Sequence, residues 1–210
     1  MIIDCISDLH GHYPQLEGGD LLIVAGDLTA RDSPDERLMF LQWLADQKYR
    51  KKVWIGGNHD NSLVGMSFRK TREDAAEHLC DSGTEFEGLK IWGSPWTLRF
   101  DGINPHCMAF TCSTEEELAD KWALIPEDTD ILVTHGPPFG LLDINKTQEC
   151  VGSVSLRNRA FNLEKIKLFI FGHVHEMGGR MVDLTCMKVV NASHVDERYQ
   201  PVNKPIRIEL

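Results

Sequence analysis

Five short blocks rich in Asp, Asn and His punctuate the chain: Asp8-Leu9-His10, Gly26-Asp27, Gly57-Asn58-His59-Asp60, Thr134-His135-Gly136 and Gly172-His173-Val174-His175. Carboxylate and amide oxygens and imidazole nitrogens are the donors that hold divalent cations, and the blocks together contain enough of them for two ions. A donor set without thiolate suits manganese first, with iron, zinc, nickel or magnesium as alternatives, better than it suits an all-oxygen calcium site. The blocks read as a binuclear metal centre, the kind of site that acidifies a water and clamps a reacting ester.

Single blocks are weak signals. Unrelated chains often carry D-x-H as a loop carboxylate beside a surface histidine, and Gly-Asp after a strand is a common turn. The string Gly57-Asn58-His59-Asp60 is rarer, expected by chance in on the order of one chain in a thousand. The five blocks gain weight because each follows an apolar run: Ile2–Ile6, Leu21–Ala25, Val53–Ile55, Ile131–Val133 and Leu168–Phe171. Runs of this length suit strands buried on both faces. In an open α/β sheet the loops at the carboxyl ends of such strands line the functional crevice.

Helix signals lie between the runs. Ser33-Pro34-Asp35-Glu36 has the form of a capping box with Pro at the first helical position, followed by Leu38, Leu41 and Leu44 at helical spacing. A second box, Ser113-Thr114-Glu115-Glu116, opens a segment through Leu118, Trp122 and Ile125 that stops before Pro126. Shorter helices are expected over Arg72–Leu79 and Arg157–Lys165. The alternation of strand and helix indicates an α/β arrangement on the border of α+β. The short pieces Leu89–Trp92, Met108–Thr111, Lys188–Val190 and Ile206–Leu210, separated by Gly, Pro and Asn, suggest a second, more antiparallel sheet.

The 210 residues suffice for one domain with a sizeable core, and one domain over 1–210 is the expectation. A formal net charge of −10, of which two divalent ions would offset about four, leaves an acidic surface. An extended nucleic-acid interface is therefore disfavoured, because such binding draws on clustered Lys and Arg, whereas a small phosphate ester is compatible. Asp4 interrupts the run Ile2–Ile6, and no stretch approaches the ~18 apolar residues of a membrane span. A cytoplasmic placement is expected, with no membrane partner. The cysteines at 5, 80, 107, 112, 150 and 186 form no C-x-x-C pair and are read as reduced thiols, several of them buried.

The order D-x-H, G-D, G-N-H-D, H-G, G-H-x-H resembles the signature of the calcineurin-like metallophosphoesterases over essentially the whole chain. Within that superfamily, Thr134-His135-Gly136-Pro137-Pro138, Phe171-Gly172-His173-Val174-His175-Glu176, Val190-Asn191-Ala192-Ser193 and Tyr199-Gln200-Pro201-Val202-Asn203 look like the small metallophosphoesterase-domain proteins of animals, which are similar to class III cyclic-nucleotide phosphodiesterases. The resemblance implies a two-sheet β-sandwich flanked by helices, with the metals at its rim. It implies one ion held by Asp8, His10, Asp27 and His175, and a second held by Asp27, Asn58, His135 and His173, with Asp27 bridging. His59 takes the position that stabilises the transition state or protonates the leaving group, in an in-line hydrolysis whose nucleophile is a metal-activated hydroxide. Asp60 could orient His59 or simply cap a turn.

The resemblance also has departures. Leu141-Leu142-Asp143 stands where the animal relatives often carry a charged or His-containing stretch, so their substrate preference does not transfer directly. Gly26-Asp27-Leu28-Thr29-Ala30-Arg31 lacks the G-D-x-V-D-R-G string of protein Ser/Thr phosphatases. The expected activity is a phosphodiesterase acting on small nucleotide or cyclic-nucleotide diesters, with a phosphomonoesterase as the alternative and a silent binding or scaffold protein below it. No substrate-binding residue is assigned. The segment Trp92-Gly93-Ser94-Pro95-Trp96 reads first as core packing and second as an active-site edge. His12 and His194 read as exposed loop histidines, and His78 and His106 as structural or solvated.

Overall fold

The computed structural model describes residues 1–66, 76–100 and 106–210. In chain order its strands are β1 Ile2–Ile6, β2 Gly19–Ala25, β3 Tyr49–Ile55, β4 Ala76–His78, β5 Ser82–Phe86, β6 Leu89–Ser94, β7 Thr97–Leu98, β8 Thr111–Cys112, β9 Ile131–Thr134, β10 Leu168–Phe171, β11 Arg180–Asp183, β12 Lys188–Asn191 and β13 Ile206–Glu209. The helices are α1 Pro34–Asp46, α2 Glu115–Trp122 and α3 Val154–Phe161. One sheet has the order β13-β1-β2-β3-β4 and a second the order β11-β12-β10-β9-β6-β5, while β7 and β8 form a small separate pair.

Alternation along the strands builds three apolar layers. Ile3, Cys5, Leu21, Ile23, Val53 and Ile55 of the first sheet meet Ile91, Ile131, Val133, Leu168, Ile170 and Val190 of the second. The opposite face of the first sheet, with Ile6, Leu22, Val24 and Trp54, is covered by Phe40, Trp43 and Leu44 of α1. The opposite face of the second, with Leu132, Phe169, Phe171 and Val189, is covered by Leu118 and Trp122 of α2 and Leu156 and Ala160 of α3. The result is helix, sheet, sheet, helix, and it matches the expected sandwich.

Parallel pairing aligns the strand ends that matter. β1, β2 and β3 run parallel in the first sheet, as do β6, β9, β10 and β12 in the second. The sheets are joined where they end: Ser7 N–H donates to Ala192 O, and His194 N–H to Ser7 O. Among the described residues, no helix is long and apolar enough to cross a membrane.

Several local expectations are corrected. The capping box of α1 is present, with Ser33 and Glu36 satisfying each other's backbone N–H groups. Its buried side, however, is Phe40, Trp43 and Leu44, whereas Leu38 and Leu41 face outward, because the aromatics bury more area against the sheet. In the second box the cap is Thr114, accepting from Glu117 N–H, rather than Ser113. The helix expected over Arg72–Leu79 is not formed at Ala76–His78, which pair in parallel with Lys52–Trp54; residues 72–75 lie outside the described residues. The helix expected over Arg157–Lys165 runs over Val154–Phe161 instead, capped by Ser153. Of the pieces expected in a second, more antiparallel sheet, β6 and β12 do lie in the second sheet, each parallel to a central strand on one side and antiparallel to an edge strand, β5 or β11, on the other, whereas β13 edges the first sheet antiparallel to β1 and Thr111 belongs to the small β7–β8 pair.

Candidate metal centre

Each of the five blocks begins within three residues of a strand end, and the parallel order brings all five to one rim. Asp8 follows β1, Asp27 follows β2, Asn58 and His59 follow β3, His135 follows β9, and His173 and His175 follow β10. Asp8, His10, Asp27 and His173 all adopt left-handed backbone, with φ of 51°, 42°, 51° and 68°. Asp and His enter that region more readily than most residues, and such conformations concentrate at functional sites, where surrounding structure holds them. The glycines in the blocks give the carboxylates room. A Cβ at Gly172 would collide with Asp8 Oδ2, and one at Gly57 with Asp27 Oδ1.

Residues of the two expected ligand sets come together in two donor groups. Asp8, His10 and His175 converge in one, and Asp27, His135 and His173 in the other. Asp27 presents different oxygens to the two sides: Oδ2 lies 3.6 Å from His10 Nε2, and Oδ1 lies 3.4 Å from His135 Nε2. Asn58 Oδ1 completes the second group at 2.9 Å from His135 Nε2. A third group joins His10, Asp27 and His59, placing the His59 ring within reach of the shared carboxylate, its Nε2 3.9 Å from Asp27 Oδ2.

Hydrogen bonding shows that these donors suit cations. His135 Nδ1 lies 3.0 Å from the Ala25 carbonyl, an acceptor only, so Nδ1 carries a proton and Nε2 is the nitrogen left to face Asn58 Oδ1 and Asp27 Oδ1. Two oxygens converging on one ring nitrogen are satisfied by a proton on that nitrogen or by a cation in its place. His10 Nε2 and His175 Nε2 likewise face each other at 3.4 Å, with Asp8 Oδ1 3.2 Å from the latter. Asp8 is in turn held by Ser193 Oγ–H at 2.7 Å and by His173 N–H.

The protonation equilibria carry the same strain. Burial works to raise the Asp8 and Asp27 carboxyls, yet the neighbouring histidines, His175 for Asp8 and His135 for Asp27, hold both below the usual carboxylate range. Burial alone would lower His135, but the Asp27 charge lifts it to about 9. Burial and the His135 charge push His173 down to about 3, and burial brings His10 to about 4 against the pull of Asp27. Buried carboxylates that draw charge onto some rings and leave others neutral form a negative pocket that bound cations would satisfy.

Asp60 caps rather than orients. Its buried carboxylate accepts from Gly57 N–H at 2.8 Å, from Leu28 N–H and from Thr29 Oγ–H, tying the β2 and β3 loops together. Burial, then the Asp27 charge, raises its pKa to about 7. His59 Nδ1 meets Cys107 Sγ at 3.4 Å instead.

A cleft of about 320 Å³ opens beside the donors. Its walls include Arg99, Phe100, Cys107, Lys146, Glu176, Glu197 and Tyr199, residues assigned no role in the sequence. Phe100 stacks on His173 at 5.6 Å, and Tyr199 sits edge-on to His10 and His175. Trp96 instead packs on Phe110 and donates to Asp81, and Trp92 packs on the layer beneath α2 and α3, the core reading of that segment. His194 is buried, its Nδ1 2.6 Å from Asn203 O, which corrects its reading as an exposed loop histidine. His12 lies by Tyr199 O, His78 packs at a tilt against Trp54, and His106 is exposed. Ser193, Glu176 and Tyr199 stand within strings already singled out in the sequence, and Cys107 reads there as a reduced thiol. Arg99, Phe100 and Lys146 lie in loops with no motif to mark them.

Residues 1–177 match the family described as calcineurin-like phosphoesterase. Metallophosphoesterase domain-containing protein 1 of Homo sapiens is 37% identical over 233 residues, spanning 98% of this chain and 70% of that protein. A UPF0046 protein of Caenorhabditis elegans, T07D4.2, is 31% identical over 240 residues, spanning 98% of this chain and 59% of its own length. Phosphopantetheinyl hydrolase (PptH) of Mycobacterium tuberculosis superposes with a TM-score of 0.60 at 18% identity, over 94% of this chain and 90% of that one, a likeness of fold. The chain belongs to the calcineurin-like phosphoesterase family, metal-dependent hydrolases of phosphate esters.

Proposed function

We propose that the rim holds two divalent cations, manganese favoured, and that the protein is a phosphodiesterase for small nucleotide or cyclic-nucleotide diesters. Asp8, His10, Asp27 and His175 would hold one ion and Asp27, Asn58, His135 and His173 the other. Bound there, the pair would supply Lewis acidity toward phosphoryl oxygens and lower the pKa of a water to the neutral range. Asp27 is suited to the shared position because its two oxygens face the two groups. Asn58 adds an oxygen without adding negative charge, which limits repulsion of an anionic ester. His59 stands at the cleft with its backbone fixed by a 2.9 Å bond from its N–H to Asp27 Oδ1, and its Nε2–H would donate a hydrogen bond to the leaving oxygen as negative charge develops there.

The observation that favours a diester is the charge balance of the cleft. Among the described residues, its charged walls beyond the donor set are Arg99 and Lys146 against Glu176 and Glu197. Such walls add no net positive charge, so they suit the single negative charge of a diester better than the near-dianion of a monoester. Phe100 and Tyr199 offer aromatic faces for a base. The test is turnover of the manganese-loaded protein on bis-p-nitrophenyl phosphate, p-nitrophenyl phosphate, and 2′,3′- and 3′,5′-cyclic nucleotides. Diesters should lead in kcat/KM, and a clear lead for the monoester would replace this reading with a phosphomonoesterase.

A further inference from the structure

The group that meets the second ring nitrogen of His59 is a thiol contributed by a segment 48 residues further along the chain. We propose that Cys107 is the positioning residue of His59: its Sγ–H donates to His59 Nδ1 and so keeps the proton of the neutral ring on Nε2, the nitrogen that faces the shared carboxylate. This rests on the reading of His59 as the group that serves the leaving oxygen.

A neutral imidazole has one N–H and one lone pair, and the partner of one nitrogen decides which atom carries the proton. The Sγ to Nδ1 separation of 3.4 Å is within reach for a sulfur donor. Burial, and then the charges of Asp27 and Asp60, raise the Cys107 pKa, so the thiol keeps its hydrogen and acts as donor. The neighbouring polar side chains are otherwise engaged: Asp60 on Gly57, Leu28 and Thr29, and Asn58 on His135.

The placement of Cys107 is also built in. Asn61, two residues after His59, grips the segment on both sides of the cysteine, its Nδ2 donating to His106 O at 2.9 Å and its Oδ1 accepting from Met108 N–H at 3.3 Å. Ala109 N–H donates to Asn58 O at 3.2 Å. The loop that carries His59 therefore holds the backbone around Cys107 directly. The His59 ring meets His10 edge-on at 4.6 Å on another side, which leaves little freedom for it to turn away.

The test reads the ring itself before it reads activity. Long-range proton–nitrogen spectra of the histidine rings, in metal-free and magnesium-loaded protein at a pH where His59 is neutral, assign its tautomer, with His59→Asn identifying the signals. The wild type should show the Nε2–H form, Cys107→Ala a mixture, and Cys107→Ser, which retains a donor, the wild-type pattern. An unchanged spectrum in Cys107→Ala overturns the proposal. In turnover, Cys107→Ala should lose about three- to ten-fold in kcat, the size of one neutral hydrogen bond, with KM and metal content unchanged and with recovery in Cys107→Ser. Added to His59→Asn, Cys107→Ala should cost nothing more, and a further loss would show that the thiol acts by another route. If the wild type hydrolyses no ester, the role of His59 fails, while the spectra still decide whether Cys107 sets its tautomer.

Discussion

Asn58 and His59 are neighbours whose side chains part company, the amide turning to His135 beneath the rim and the imidazole to the cleft. Replacing His59 by Asn should lower kcat by about 10²–10³-fold, the usual worth of a positioned donor to developing oxygen charge, while metal analysis still returns two ions per chain. Loss of metal together with activity would assign His59 to the donor group that it forms with His10 and Asp27. The convergence of the candidate donors was legible in the sequence because each sits beside a strand run that announces its place. The partners of those residues were not. Asp60 adjoins His59 in sequence yet bonds to Leu28 and Gly57, whereas Cys107, with no motif around it, reaches the ring because of how the intervening chain returns. Sequence adjacency says little about which way a loop side chain points.

At the level of elements, β4 illustrates what a short strand can hide. Glu77 and His78 looked helical beside their neighbours, but Lys51 Nζ and Thr84 Oγ both bond to Glu77, and the His78 ring packs at a tilt against Trp54 at 4.3 Å, so side-chain contacts favour the extended pairing with β3. Strands buried on both faces were readable as unbroken apolar runs, whereas this edge strand, half polar, gave no such signal. Burial lowers the pKa of His78 from 6.5 to about 4. The sign follows from linkage: between these values the unfolded chain binds a proton that the folded chain does not. The stabilisation is therefore whole above about pH 6.5 and is lost as pH falls towards about 4. Allowing for partial exposure, the loss should amount to roughly 2–3 kcal/mol. Urea unfolding at about pH 7 and about pH 4.5 should show His78→Gln losing less on acidification than the wild type. Equal losses would mean that His78 is not buried as described.

Across the whole molecule, the donors come from both sheets. Asp8, His10, Asp27 and Asn58 follow strands of the first, and His135, His173 and His175 follow strands of the second. Which strands pair was not legible, since β13 reaches β1 from the far end of the sequence and β6 joins β9 across α2. Ions held between the sheets, as proposed, would bind only the folded chain, so chelation should lower the melting midpoint. The expected fall is about 5–10 °C for each ion present at roughly a hundred times its Kd, measured by calorimetry with and without a chelator. A midpoint indifferent to chelation would count against ions bridging the two layers. The interior and the chemistry are thereby yoked. Ile23 and Ile170 belong to the apolar layer between the sheets, and the thickness of that layer bears on the span between Asp27 on one sheet and His173 on the other. Over evolutionary time an interior methylene is therefore answerable twice, once to packing and once to the spacing of the rim. Positions such as Ile170 should drift more slowly than equally buried positions beneath the helices.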